Sequence, residues 1–194
     1  MVQIADEHPD ALPPGTTMGE FKIEQVLGVG GFGIVYRAVD QLLERRVALK
    51  EYLPSALAGR AADGSVSVRT SQHAETFGVG LNSFINEARL LARFDHPALV
   101  KVHRFWQGQG TAYMVMPLYE GRTLRDVRRG MPRAPDEAWL RELTAPLLGA
   151  LEVLHADQVY HRDIAPDNVI LREGAGPVLL DFGAARRVIS DRTQ

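Results

Sequence analysis

An α+β chain is predicted by a change of pattern partway along it and by two polar loops near its end. Up to about residue 118, apolar residues mostly alternate in short runs bounded by glycine and proline, the period of strands, with one helical stretch inserted. Beyond that point they recur every three or four residues, the period of helices. The loops are His161-Arg162-Asp163-Ile164-Ala165-Pro166-Asp167-Asn168 and, thirteen residues after Asn168, Asp181-Phe182-Gly183. An Asp and an Asn five apart on one loop, with a second Asp on another, supply hard oxygen ligands and a free carboxylate. Phosphoryl transfer asks a protein for little else: metal on the phosphates, and a carboxylate beside the incoming hydroxyl. A plain Arg/Asp-rich turn explains His161-Arg162-Asp163 alone, but not the three-part spacing.

Composition narrows the classes. With 194 residues, 45% hydrophobic and 24% charged, the chain is long enough for one large domain or two small lobes with a core. A net charge of −2 predicts no nucleic-acid partner and no attraction to anionic membrane. The absence of cysteine excludes disulfides, thiolate catalysis and Cys-based zinc sites. No apolar run reaches the ~18 residues of a membrane span, and the N-terminus lacks the pattern of a signal peptide. The expected location is cytoplasmic.

Residues 1–18 are polar and carry Pro9, Pro13, Pro14 and Gly15, the composition of a flexible leader. Strands are expected at Phe21–Leu27, Ile34–Val39, Val47–Lys50, Leu99–Val102 and Thr111–Met116, which gives a five-stranded antiparallel sheet. Residues 51–80 are the least readable stretch, with a turn at Ala61–Ser65 and a candidate short added strand at Val66–Val68. Gly78 and Gly80 weaken any helix there. A helix is therefore expected from Leu81, capped by Asn82 or Ser83 and carrying Glu87, with Asp95-His96-Pro97 closing it. A short helix over Thr123–Arg129 follows. A long one over Asp136–Ala156 carries Leu140, Leu143, Leu147, Leu151 and Leu154 on one stripe, with Pro146 bending it. Asn168–Leu171 and Val178–Leu180 form a hairpin around Gly174-Ala175-Gly176, which brings Asp181 back to Asn168.

Gly28-Val29-Gly30-Gly31-Phe32-Gly33 matches G-x-G-x-x-G, which is weak by itself. A dinucleotide-binding turn would lead into a helix, whereas here Ile34-Val35-Tyr36 continues as a strand. A Walker A loop would place Lys-Ser/Thr after its last glycine, and Ile34 stands there. A simple hairpin accounts for the glycines but not for Val47-Ala48-Leu49-Lys50, which sets a lysine on the next strand, facing the same cleft. A glycine-rich hairpin over ATP accounts for both.

In this order the motifs resemble the eukaryotic-like serine/threonine protein kinases, from Phe21 to about Arg187. The resemblance implies a bilobal fold: a leader over 1–18, an N-lobe over 19–118 with the insertion about 51–80, and a partial C-lobe over 119–194. It implies ATP and Mg²⁺ as cofactors, and transfer of the γ-phosphate to a Ser or Thr of a protein substrate. Leu27, Gly28, Gly30, Gly33, Val35, Ala48, Met116, Pro117, Tyr119 and Ile170 would contact the nucleotide. Lys50 would bind the α- and β-phosphates and pair with Glu87. Asp163 would take the hydroxyl proton, while Asn168 and Asp181 would hold the metal. Leu91, Val102, His161 and Phe182 match the apolar stack that joins the lobes. Ser190 and Thr193 are the candidate phosphorylation positions, opposite Arg162.

The chain departs from that pattern in three ways. Ala165 stands where serine/threonine kinases carry a lysine. The 36 residues between Lys50 and Glu87 exceed the usual connection. The chain stops inside the activation segment, so the apolar stripe from Leu140 is expected to lack cover and to promote self-association. The second reading is accordingly a catalytically impaired nucleotide-binding or interaction module.

Overall fold

The structure, a computed structural model, describes residues 8–182 together with the backbone of 186–187. Its chain packs as two compact units. One takes the residues up to Arg89 together with Val102–Leu118, and the other takes Leu90–Lys101 together with the residues from Tyr119 on.

The first unit is built on a six-stranded antiparallel sheet in the order β1-β2-β3-β4-β8-β7. Its strands are β1 (Thr17–Met18), β2 (Phe21–Gly30), β3 (Gly33–Asp40), β4 (Arg45–Tyr52), β7 (Arg104–Gly108) and β8 (Thr111–Pro117). On β3 every second residue is buried: Ile34, Tyr36, Ala38 and Asp40, the period-2 pattern of a half-buried strand. β4 lies centrally and buries Val47, Ala48, Leu49, Glu51 and Tyr52. The sheet curls strongly. Phe21 on β2 and Trp106 on β7, four places apart in the strand order, stack with centroids 5.8 Å apart and planes 10° from parallel.

Four of the five strands expected from the sequence are found in place, and the structure adds β1 as a short edge. It also moves the remaining one. The stretch Leu99–Val102 is no strand and makes only an isolated bridge from Leu99 to Leu179; pairing with β8 falls to Arg104–Gly108. Leu99 is apolar because it is buried in the second unit, not because it alternates.

The helix α1 runs over Ala74–Leu91, seven residues ahead of the expected start at Leu81, so Asn82 and Ser83 lie inside it rather than capping it. Gly80 is tolerated mid-helix for a packing reason. The Tyr52 hydroxyl donates to the Phe77 carbonyl at 3.2 Å, and a Cβ on Gly80 would lie 2.1 Å from that hydroxyl oxygen. The insertion ahead of α1 forms a hairpin of β5 (Ala58–Arg60) and β6 (Val66–Val68).

Residues 8–18 are packed, contrary to their loop-like composition. Leu12 is buried, and its N–H donates to the Tyr36 hydroxyl at 3.1 Å. The Asp10 carboxylate accepts from the Arg60 N–H at 2.8 Å and from the Arg69 guanidinium at 3.1 Å. These partners lie 24 to 59 residues away in sequence, which is why composition concealed them.

In the second unit, α2 (Leu124–Gly130) is capped by the Thr123 hydroxyl accepting from the Asp126 N–H. The long α3 (Glu137–Ala156) is capped by Asp136 and continues through Pro146. It packs on β10 (Val159–Tyr160) and β12 (Gly176–Leu179). Ala150 and Leu154 are buried, while Leu140 and Leu148 are exposed. β12 pairs with β11 (Val169–Arg172), and β11 with β9 (Arg122–Thr123). Gly121 is required beside this sheet, since a Cβ there would lie 2.4 Å from the Leu171 carbonyl oxygen. β13 (Arg186–Arg187) pairs with β10.

The two helical glycines separate packing from propensity. Gly78→Ala meets open space and should stabilise by about 0.5–1 kcal/mol through helix propensity. Gly80→Ala should destabilise by about 1–3 kcal/mol through overpacking on Tyr52. Urea denaturation of both variants checks the contrast, and equal shifts would remove the assigned role of Tyr52.

Candidate active site

The first unit carries a glycine hairpin and a lysine held by a carboxylate. Gly28 pairs with Val35 and Gly30 with Gly33 across β2 and β3. Added Cβ atoms at Gly28 and Gly31 would meet nothing within 4 Å, so this face of the hairpin is open. Gly33 differs, because a Cβ there would lie 1.9 Å from the Glu51 carbonyl oxygen. Its lack of a side chain lets the hairpin seat on β4. Exposed Leu27 leads into the glycines.

Strand register then sets the next positions. Val35 lies opposite Lys50, Lys50 opposite Met114, Ala48 opposite Met116, and Val47 opposite Pro117. The Lys50 ammonium donates to Glu87 Oε1 at 3.0 Å, with both side chains largely shielded. It also lies 5.6 Å from the Phe84 ring centroid, on the same helix as Glu87. A helical Glu is ordinarily a solvated one, and this Glu is 7% exposed.

The second unit carries the two polar loops. His161 is buried, and its ring meets Phe182 edge-on at 4.6 Å. Arg162 has φ +66°, a left-handed conformation that costs a non-glycine residue energy and gathers at functional sites. That turn lets the Asp163 N–H donate back to His161 Nδ1 at 3.3 Å, while the Asp163 side chain stays exposed. Asn168 ends the 3-10 turn Pro166–Asn168 and donates through Nδ2 to Asp163 Oδ2 at 3.0 Å and to its carbonyl at 3.2 Å.

The β11–β12 register pairs Val169 with Leu179, and the Leu180 N–H donates to the Asn168 carbonyl at 2.8 Å. Asp181 is thus delivered next to Asn168 by two paired strands. Ile170 lies on β11 between Thr123 and Val178, and Tyr119 is half-buried at the start of this unit. Gly183, Ser190 and Thr193 lie outside the described residues.

The oxygen donors fit a hard cation. Among the described residues no group of three or more His, Cys, Asp or Glu could cage a metal. An Asn and an Asp with room for phosphate oxygens and water suit Mg²⁺ rather than a metal needing an all-protein shell.

One link was missed at the sequence level. Both Asp167 carboxylate oxygens accept from the Arg125 guanidinium, which ties α2 to the Asp163 loop. Arg125 holds the Asp167 carboxyl below its ordinary range, first by hydrogen bonding. The spacing of 42 residues offers no pattern from which to read it.

Burial pushes the His161 imidazole below its ordinary pKa, against the opposing pull of Asp181 and Asp163. The folded chain thus keeps His161 neutral at pH values where the unfolded chain takes up a proton, so stability falls as pH drops below about 6.5. The slope of unfolding free energy against pH between about 7.5 and 5.5 should flatten in His161→Phe. An identical slope in the variant would show that other groups carry the dependence.

The protein kinase domain family matches residues 21–194. Serine/threonine-protein kinase pkn2 of Myxococcus xanthus is 34% identical over 176 residues, which cover 89% of this chain and 19% of that protein. The DNA damage-responsive serine/threonine-protein kinase RqkA of Deinococcus radiodurans is 33% identical over 191 residues, 94% of this chain and 25% of that protein. The chain therefore spans about a fifth to a quarter of these relatives. A solved structure described as the apo form of PpkA-294 superposes with a TM-score of 0.85 at 50% identity, over 90% of this chain and 62% of that one. Protein kinases generally use ATP and Mg²⁺. By sequence and by fold, this chain belongs to the protein kinase domain family.

Proposed function

We propose that the chain carries the machinery for moving the γ-phosphate of Mg-ATP to a Ser or Thr hydroxyl of a protein. The observation that carries this reading is the Asp163–Asn168 hydrogen bond at 3.0 Å. It holds one carboxylate oxygen while leaving the other for an incoming hydroxyl, and it uses the Asn168 amide nitrogen so that the amide oxygen would be available to a cation. Supporting it are the Lys50–Glu87 pair at 3.0 Å and relatives named as serine/threonine protein kinases.

Each residue then has a separate task. Asp163, exposed and hydrogen-bonded on one side only, orients the hydroxyl and accepts its proton. Lys50, kept in place by Glu87, binds the α- and β-phosphates. The backbone of the hairpin from Gly28 to Gly33 covers the phosphates, and Leu27, Val35, Ala48, Met116 and Ile170 contact the purine. The Pro117 carbonyl and the Tyr119 N–H hydrogen-bond its edge; proline suffices at the first position, because only its carbonyl is used. Asn168 and Asp181 hold Mg²⁺, which when bound offsets the charge on the phosphate oxygens.

A second reading, nucleotide binding without transfer, is favoured by Ala165, which leaves the loop without the usual lysine. Autophosphorylation with γ-labelled ATP separates the two. Transfer should fall about 10²–10⁴-fold in Asp163→Asn and be lost in Lys50→Met. Undiminished transfer in Asp163→Asn would discredit the assigned base. A rise in melting temperature with Mg-ATP, but no label transferred by the unsubstituted chain, would establish the binding module instead.

A further inference from the structure

Residues 122–133 carry Arg122, Arg125, Arg128, Arg129 and Arg133, with Asp126 as the sole acidic residue among them, in a chain whose net charge is −2. Three local facts show how these charges are used. Asp126 is engaged by the Thr123 hydroxyl at 2.8 Å. Arg125 is engaged by Asp167, and Arg122 donates to the Asp126 carbonyl at 2.9 Å. Arg128, Arg129 and Arg133 are exposed and form no ion pair among the described residues.

The helix dipole explains some of this placement. Arg128 and Arg129 lie in the last turn of α2, where a cation gains about 0.3–1 kcal/mol. It does not explain Arg133, which lies beyond the helix, or the excess of cations over acids. The location is also specific. α2 packs on the turn Pro166–Asn168 and on β11, and that turn ends in the residue that holds Asp163. α2 therefore flanks the loop on which the acceptor hydroxyl would be bound, and the Arg129 guanidinium lies within electrostatic reach of Asp167 on that loop.

We propose that Arg128, Arg129 and Arg133 form a recognition surface for an acidic segment of the protein substrate, next to the Ser or Thr presented to Asp163. The inference rests on the phosphotransfer reading above. Guanidinium forks pair with the oxygens of carboxylates and of phosphates, so Glu or Asp side chains and a phosphorylated residue are two sources of one chemistry. Exposed charges of this kind act mainly on encounter and selectivity, and salt weakens them. Nucleic acid fits the same face less well, because no Phe, Tyr or Trp lies among residues 122–133 to stack on a base.

The test uses the 194-residue chain and four peptides with one Ser/Thr centre, flanked by Glu, phosphoserine, Ala or Lys. The Glu or phosphoserine peptide should exceed the Ala peptide in kcat/KM on the order of tenfold, the size of one charge-assisted contact. The Lys peptide should be poorest. The double substitution Arg128→Glu/Arg129→Glu should erase that ratio, mainly through KM, and high salt should shrink it. A phosphoserine peptide well above the Glu peptide identifies phosphate as the preferred source, and parity identifies carboxylate. Equal rates for all flanks, or a ratio untouched by the double substitution, overturn the proposal. So does tighter binding of a single-stranded oligonucleotide than of the acidic peptide. If no peptide accepts phosphate, the phosphotransfer reading fails separately. Fluorescence anisotropy of a labelled Glu peptide then decides for the surface if the double substitution abolishes binding, and against it if binding is absent or unchanged.

Discussion

The first unit depends on one buried ion pair. Glu51 is fully buried on the central strand and receives the Arg60 guanidinium at 2.6 Å. The Tyr36 hydroxyl donates to the same carboxylate at 2.7 Å. Burial, and then the Glu51 charge, push the Tyr36 phenol far above its ordinary range. Breaking such a pair from one side costs about 3–5 kcal/mol, because the remaining charge stays out of water. Through these contacts β3, β4, the inserted hairpin and the residue 10–12 segment are one connected piece. Lys50 precedes Glu51 on β4, and neighbouring strand residues point to opposite faces. The strand is thus held on one face by Arg60 and on the other by Glu87, which leaves the lysine little freedom to wander.

Where pattern was local, the sequence was readable. β3 and β4 alternate, α3 begins at an Asp that caps it, and the β11–β12 hairpin turns at Gly174 and Gly176, both with positive φ. The three-part spacing of Asp163, Asn168 and Asp181 was legible for the same reason, since a short hairpin joins the loops. What was hidden is tertiary. Gly80 reads as a helix breaker until Tyr52 is placed beside it. Leu99–Val102 reads as a strand because burial and alternation look alike over four residues. The proline-bearing start reads as loose chain until Asp10 meets Arg60. In each case the deciding partner lies far away in sequence.

Within the second unit the chemistry rests on backbone as much as on side chains. The left-handed Arg162 turns the chain so that Asp163 faces outward while His161 stays buried against Phe182. Neutral His161 accepts from the Asp163 N–H and braces this turn without adding a charge beside it. Arg125 steadies the same loop from the other end through Asp167. The loop thus keeps its shape although Ala165 contributes no cation.

The recognised family match begins at Phe21, but the folded body reaches further upstream. Leu12 fills a buried position, and Gly15 and Thr16 exchange backbone hydrogen bonds with Ile23 at 2.8 and 2.9 Å. A boundary drawn from homology would cut off the residues that shield Tyr36 and complete the coordination of Arg60. The packed body of this domain therefore includes residues 10–18, upstream of the point where its sequence signature starts.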